Sequence, residues 1–340
     1  MRILLILPWT RTAFELGNYC KLALEEIGYR VDDFKYFKHR IWQRFGILEG
    51  LEDFYIKERL YHKILSFKPK LILVIKGDII PKDVIIYIKK RFKIPLANYW
   101  IDDPYRLEIS RKLSPLYDFF FTNDINSVNV HKDAGCPNVA FLTFGCMPNI
   151  HKKISLSPGQ LKQYRSDICF SGTVNPERAK VFEWLVDFDI KIWAPRFIYY
   201  LKQDYKIIKE PIPKNSPLYN KFTGQQVWGK ELVKVYNAAK IVLNIHSPQT
   251  CPIMRDFEVT ACGAFLLTDY VNGLEDFFKI NQEIVCFKDK DELRELINFY
   301  LRDPQKRQEI SMRGQQRAYL EHTYVQRMKE LISFIKDKIA

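Results

Sequence analysis

Residues 255–269 read RDFEVTACGAFLLTD. The stretch joins a charged start, a glycine that is typical of a helix end, and the short apolar run 264–267. We therefore predict a helix that ends at Gly263 and a buried strand that ends at Thr268 and Asp269. A helix followed directly by a buried strand is typical of α/β folds with parallel sheets.

Two charged residues, Arg255 and Glu258, lie near the start of this predicted helix. In an open α/β sheet, ligands bind outside the carboxyl ends of the strands and next to helix N-termini. An arginine is suited to phosphate, and a carboxylate is suited to sugar hydroxyls. We expect Arg255 and Glu258 to face a ligand.

The alternation of apolar runs and helical patterns continues in both directions from this stretch. Runs in the first half predict strands at 2–7, 31–36, 71–75, 96–100 and 117–122. A polar stretch with Pro158-Gly159 then predicts a linker. Further runs at 168–171, 190–193 and 240–245 predict a second series of strands. The sequence thus predicts two parallel sheets in two domains.

Charge and composition narrow the classes of partner. The 340 residues carry 53 Lys and Arg against 40 Asp and Glu, a net charge of +13 that is spread over both halves. Such a field attracts anions in general, and no basic stripe interleaved with aromatic residues predicts a specific nucleic-acid partner. Seven cysteines without a C-x-x-C pair indicate reduced thiols and no zinc site. Without an apolar run of membrane-spanning length or a signal peptide, a cytoplasmic location is expected.

In the first half, polar residues follow two of the predicted strands. Asp102 and Asp103 come directly after strand 96–100, and adjacent carboxylates at a strand end are candidates for a site. An Asp before a proline is also a helix-start signal, which is the structural alternative. Gly17 and Asn18 predict a loop after the first strand, either a plain turn or a ligand-binding loop.

In the second half, Gly172 and Thr173 lie in a turn between a predicted strand and helix. The free backbone N–H groups of such a turn are suited to a diphosphate. Asn244 and His246 lie at the end of strand 240–245. A histidine at a strand end can donate to phosphate or ribose, and a packed core histidine is the alternative.

The opening stretch resembles the CgeB-like (spore maturation protein-like) family of group-1 glycosyltransferases. YVNGLE at 270–275 and EHTY at 321–324 extend the resemblance, which covers nearly the whole chain. It implies the GT-B fold, in which two Rossmann-like parallel-sheet domains face each other across a cleft and a C-terminal helix crosses back to the first domain. The implied parts are an acceptor-binding domain at 1–150, a linker at 151–165, a nucleotide-sugar-binding domain at 166–322 and the closing helix at 323–340.

The resemblance further implies a glycosyltransferase that moves a sugar from a nucleotide-sugar donor, with UDP and dTDP donors favoured, to a saccharide, protein or lipid-linked acceptor. Such enzymes need neither a metal nor a separate cofactor, and the adjacent pair Asp102-Asp103 does not have the D-x-D spacing of a metal site. The implied donor-binding residues are Gly172, Thr173, Asn244, Arg255 and Glu258. Arg255 would stabilise the leaving diphosphate in place of a metal cation. The candidates for a catalytic base are Asp102, Asp103 and His246. Gly17 and Asn18 are expected on the acceptor side.

Glu258 matches the second glutamate of the E-x7-E pattern of related transferases, which binds the donor ribose. The first glutamate would fall at position 250, where this chain has Thr250. This departure leaves the stereochemical outcome open. It also leaves two alternatives, a sugar-nucleotide epimerase or hydrolase of the same fold and a non-catalytic nucleotide- or saccharide-binding scaffold.

The basic face of the closing helix could contact the inner face of a membrane, with a packed helix as the alternative.

Overall fold

The computed structural model describes residues 1–8, 11–36, 46–201 and 207–339. The chain divides into two compact units. Met1–Phe144 and Tyr324–Ala340 form the first unit, and Gly145–Thr323 forms the second.

The first unit alternates strands and helices along most of its length. Its strands are β1 (Arg2–Pro8), β2 (Arg30–Tyr36), β3 (Leu71–Ile75), β4 (Leu96–Trp100), β5 (Phe119–Thr122) and β6 (Val139–Phe141). Its first five helices are α1 (Arg11–Glu26), α2 (Gly46–Phe67), α3 (Lys82–Phe92), α4 (Leu107–Leu113) and α5 (Ser127–Asp133). All neighbouring strands pair in parallel, in the order β2-β1-β3-β4-β5-β6. The apolar runs LILVI and LANYW are buried at every position, as strands covered on both faces require.

One prediction for this unit is wrong. Gly17 and Asn18 do not form a loop, because both lie inside α1. A Cβ atom at Gly17 would collide with the side chain of Leu7 on β1, so the glycine allows the helix to pack closely on the strand. The Gly-Asn pair has the composition of a turn, but this close helix-strand contact determines its structure.

The C-terminal helix, α12 (Tyr324–Ile339), belongs to the first unit. It packs against α1, and the rings of Tyr19 and Tyr324 lie 5.4 Å apart. Arg327 is buried in α12 and donates from Nε to the carbonyl of Phe144 at 2.9 Å. The predicted return of this helix to the first domain is therefore confirmed.

The second unit contains the other sheet. Its strands are β7 (Ser166–Ser171), β8 (Ile190–Trp193), β9 (Phe197–Leu201), β10 (Ile207–Pro211), β11 (Ala239–Asn244), β12 (Leu266–Asp269) and β13 (Val285–Phe287). Its helices are α6 (Pro158–Tyr164), α7 (Pro176–Glu183), α8 (Gly229–Ala238), α9 (Met254–Ala261), α10 (Lys290–Arg302) and α11 (Pro304–Glu321). The parallel order is β13-β12-β11-β7-β8, while β9 and β10 form a separate antiparallel pair.

Local signals explain two helix boundaries in this unit. Helix α9 ends two residues before Gly263, which has a φ of 64°, so the predicted stop is confirmed. Residues in the predicted linker instead form α6, because Ser157 and Gln160 make a reciprocal capping box at its start. The stretch that looked like a connection is therefore partly helical.

Candidate active site

The strand order of the second sheet brings three carboxyl ends together. Strands β7, β11 and β12 are neighbours and end at Ser171, Asn244 and Asp269. Helix α9 begins at Met254, shortly after β11, and contacts both β11 and β12. Polar groups from these elements consequently meet at the edge where ligands bind in open α/β sheets.

His246 lies at the centre of this edge between two carboxylates. Its Nε2 is 2.8 Å from Asp256 Oδ2, and its Nδ1 is 2.7 Å from Asp269 Oδ1. The imidazole is fully buried. Burial alone would lower the pKa of His246, but the charges and hydrogen bonds of Asp256 and Asp269 outweigh it and raise the pKa to about 9. The ring is an imidazolium that donates to both carboxylates.

Arg255 is attached to the same cluster. Its Nη1 donates to Asn244 Oδ1, while Asn244 Nδ2 donates to Asp256 Oδ1 at 2.6 Å. The guanidinium carbon lies 4.8 Å from the centre of the Phe170 ring. Asn244 is fully buried whereas Arg255 is half-buried, so of these two residues only the arginine can contact a ligand.

The predicted turn after β7 lies directly beside Arg255. Gly172 has a φ of 149°, and a Cβ atom there would collide with the Arg255 guanidinium. Arg178 of α7 holds the turn by donating from Nη1 to the Thr173 carbonyl at 2.7 Å and from Nη2 to the Ile245 carbonyl at 2.7 Å. Burial, followed by the charge of Arg255, lowers the pKa of Arg178. The backbone of the turn therefore approaches the arginine closely, as a phosphate cradle requires.

Glu258 lies one turn further along α9 and is buried. Its Oε1 is 3.6 Å from Nε2 of His151, which is also buried. The His151 Nδ1 accepts the Met147 N–H at 3.1 Å, so the ring proton is on Nε2 and points towards the carboxylate. Burial lowers the pKa of His151 to about 3, and this ring is neutral.

The three predicted catalytic residues have different surroundings. His246 is buried and both of its nitrogens are engaged, so it is not placed to accept a proton from an acceptor. Asp103 is also fully buried, and its carboxylate accepts from Ser110 Oγ at 2.6 Å and Thr122 Oγ1 at 2.7 Å. His131 Nε2 is a third partner at 2.7 Å. Asp103 therefore has the structural role of a hydrogen-bond centre.

Asp102 is partly exposed and lies beside two cations. Its side chain is 22% exposed, and Lys76 Nζ lies 2.7 Å from its Oδ2. Arg106 is 3.7 Å from the same oxygen and forms a closer pair with Asp78 at 2.6 Å. Two cations and two carboxylates thus lie at the carboxyl ends of β3 and β4 in the first unit.

Sequence reasoning missed several members of the second-unit cluster, namely Asp256, Asp269, Arg178 and His151. Asp256 and Asp269 both lie in the opening stretch, one beside Arg255 and one at a predicted strand end. The position of Asp269 was a usable signal, because neighbouring parallel strands end at one edge of a sheet. Nothing local indicates that Arg178 would cap carbonyl groups from two loops.

The described residues contain neither a metal-type cluster nor a membrane-spanning helix. Within residues 1–8, 11–36, 46–201 and 207–339, no three His, Cys, Asp or Glu side chains are grouped to hold a metal ion. Over the same ranges, no helix combines the length and the apolar character needed to cross a bilayer.

Most of the second-unit site residues lie in a region that matches a known protein family. Residues 178–333, which include Asn244, His246, Arg255 and Glu258, match the model of a family described as glycosyl transferase-like. This region is therefore similar to glycosyltransferases. The chain is also similar to the spore protein CgeB of Bacillus subtilis, with 26% identity over 264 residues that cover 73% of this chain and 77% of that protein. The predicted resemblance and the predicted enzyme class, glycosyltransferase, are confirmed.

Solved structures extend the likeness to the whole chain. A sucrose-phosphate synthase from Thermosynechococcus elongatus gives a TM-score of 0.69 at 13% identity, covering 100% of this chain and 99% of that one. HepE of Anabaena, solved with UDP and glucose, gives a TM-score of 0.67 at 14% identity, covering 99% of this chain and 100% of that one. These likenesses confirm the predicted fold class, with two parallel-sheet domains of the GT-B type.

Proposed function

We propose that the glycosyltransferase domain takes its sugar from a nucleotide-sugar donor bound at the carboxyl ends of β7 and β11. One observation carries the proposal. The half-buried guanidinium of Arg255 is fixed by Asn244 and Phe170 and lies against the Gly172 turn. The Gly172 N–H donates to the Trp193 carbonyl at 3.4 Å, so it is not free as the sequence predicted. A fixed cation beside a turn that carries no side chain at Gly172 is nevertheless suited to a diphosphate.

Each donor-side residue has a distinct task in this proposal. Arg255 and the turn at Gly172 and Thr173 bind the diphosphate. Glu258, whose side chain keeps 5% of its surface exposed, accepts hydrogen bonds from the ribose hydroxyls. Asn244, which is fully buried, orients Arg255 and does not contact the donor. A UDP sugar is the favoured donor, since HepE was solved in complex with UDP-glucose.

The leaving diphosphate would be stabilised within the second unit. As the bond between sugar and diphosphate breaks, negative charge develops on the leaving phosphate, and the preorganised Arg255 stabilises it. Of the three predicted base candidates, Asp102 is the partly exposed one, and we assign it the proton of the acceptor hydroxyl. Lys76 Nζ lies 2.7 Å from its Oδ2 and holds the carboxylate in place. Metal independence, a cytoplasmic location and a saccharide, protein or lipid-linked acceptor belong to the same proposal.

Donor binding is tested by calorimetry with UDP, GDP, dTDP, CDP and their sugars, in the presence of EDTA. We expect one nucleotide to bind, and Arg255→Ala to weaken its binding by about tenfold to a hundredfold because a charge-assisted contact is lost. Arg294→Ala is the matched control, since Arg294 pairs with Asp187 on the surface of the same unit. Equal affinity of the Arg255 variant and the control variant would contradict the proposed donor site.

Turnover distinguishes transfer from the other activities of this fold. Asp102→Asn should retain donor binding but lose transfer to any acceptor, because the amide cannot take a proton. Release of free sugar from the donor without a transfer product would identify a hydrolase, and a change of sugar configuration in the donor would identify an epimerase. Binding of the donor without any turnover would favour the scaffold.

A further inference from the structure

A continuous chain of polar contacts starts at Asp269 and ends at the proposed diphosphate-binding arginine. Asp269 is bonded to His246, His246 to Asp256, Asp256 to Asn244, and Asn244 to Arg255. Its links join β12, the segment after β11, and α9. The chain therefore ties three elements of the second unit to one guanidinium.

The middle of this chain cannot contact a donor. His246, Asp256 and Asn244 each have no exposed surface, whereas the Asp269 side chain is 28% exposed and Arg255 is half-buried. Any effect of His246 on donor binding must therefore pass through its neighbours.

The donor and acceptor rules of each group fix the orientation of the next. An ionised Asp256 can only accept, so the Asn244 amide must turn its NH2 group towards Asp256 and its oxygen towards Arg255. Asp256 Oδ2 is fixed in turn by His246 Nε2 and by the Ile253 N–H at 2.8 Å. A neutral imidazole has one N–H and would direct a lone pair at one carboxylate. The order of the chain thus requires a ring that donates on both sides.

We propose that His246 is a positioning residue, which holds Asp256 and Asn244 in the arrangement that aims Arg255 at the donor diphosphate. This inference rests on the proposed donor site. In this proposal His246 orients the donor-binding arginine and does not act as the catalytic base.

The groups that face His246 are few. Asp256 faces it from α9, and Asp269 and the Thr268 hydroxyl face it from β12, with Thr268 Oγ1 at 3.3 Å from Nδ1. Arg178 of α7 is a further cation, bonded to the carbonyl of Ile245, which precedes His246. Asp256 and Asp269 are thus the two carboxylates that keep the ring doubly protonated.

A double-mutant cycle on UDP affinity tests the proposal. We expect His246→Gln to weaken UDP binding about tenfold, and to have no further effect in an Arg255→Ala background, because coupled residues are not additive. His131→Gln is the matched control, as His131 is an equally buried histidine bonded to an aspartate in the first unit. It should leave UDP affinity unchanged.

Each outcome has a clear consequence. Equal UDP affinity of wild type and His246→Gln, or the same loss in the presence and absence of Arg255, would overturn the positioning role. No UDP binding by the wild type would overturn the proposed donor site and this inference with it. If His246→Gln does not fold, Asp269→Asn replaces it in the cycle. Asp269→Asn should weaken UDP binding several-fold in the otherwise wild-type protein but have no effect in the Arg255→Ala variant.

The pH dependence gives a second readout, which a merely structural role would not produce. Wild-type UDP affinity should fall as the pH rises through the region near 9, where the His246 ring loses its second proton. The His246→Gln variant retains Arg178 and the rest of the site, so its affinity should change less over the same range. Parallel pH profiles would contradict the proposal.

Discussion

The charged state of His246 predicts how the stability of the second unit depends on pH. The pKa of His246 is raised from its ordinary 6.5 to about 9 in the folded protein. The folded state therefore binds the proton more tightly than the unfolded chain does. This contribution to the free energy of unfolding is fully present below pH 6.5 and is lost as the pH rises through 9.

The size of the effect follows from the same two values. A rise from 6.5 to about 9 is worth on the order of 3 kcal/mol at about 1.4 kcal/mol for each pKa unit. The imidazole is fully buried, so solvent does not screen its interactions with Asp256 and Asp269. This amount is a large fraction of the roughly 5–15 kcal/mol that stabilises a typical domain.

Urea denaturation of the wild type and His246→Gln between pH 6 and pH 10 measures the effect. The variant should be less stable than the wild type at pH 6, and the difference should shrink by on the order of 3 kcal/mol as the pH approaches 10. His62→Gln controls for the removal of a histidine, because His62 lies exposed on α2. A difference between wild type and His246→Gln that stays constant over this range would refute the assignment of a buried imidazolium.

Three further predictions concern other parts of the structure. Burial lowers the pKa of His151 to about 3, so its contribution to stability is present above pH 6.5 and is lost as the pH falls towards 3. In thermal melts, His151→Phe should therefore reduce the fall in melting temperature between pH 6.5 and pH 3. Gly172→Ala should weaken UDP binding at least about tenfold in calorimetry, because the new methyl group meets Arg255 and the φ is unfavourable for alanine. Asp103→Asn should cost about 3 kcal/mol or more in urea denaturation because a buried amide cannot keep all three hydrogen bonds of the carboxylate, while Asp102→Asn should cost about 1 kcal/mol or less.

Most strands could be predicted because buried parallel strands carry contiguous apolar residues. The runs at 71–75 and 96–100 coincide with β3 and β4, and the helix stop at Gly263 was readable from composition. The signals fail where a distant contact determines the local structure. Gly17 is helical because α1 packs on Leu7, and no pattern near Gly17 reveals that contact.

In the candidate site, too, some residues could be predicted from the sequence and others could not. Arg255 was identifiable from its residue type and its position at a helix start, and it does lie beside the Gly172 turn. The role of His246 was not identifiable, since a histidine at a strand end predicts a donor or a base equally well. The partners Asp256 and Asp269 decide between these roles, and they are 10 and 23 residues away along the chain. Only the order of the strands places all three together.

The charges of the second-unit cluster explain why this edge is suited to an anion. Around His246 and the Gly172 turn, Asp256 and Asp269 contribute two negative charges, and His246, Arg178 and Arg255 contribute three positive charges. The carboxylate of Glu258 lies one turn further along α9, beside the neutral ring of His151. Four of the five groups are bonded to one another or to backbone carbonyls inside the unit. Arg255 is the half-buried cation, so its positive charge is presented beside the Gly172 turn. A diphosphate bound there would gain a hydrogen-bonded counter-charge without any rearrangement of the buried groups, which is the property that transition-state stabilisation requires.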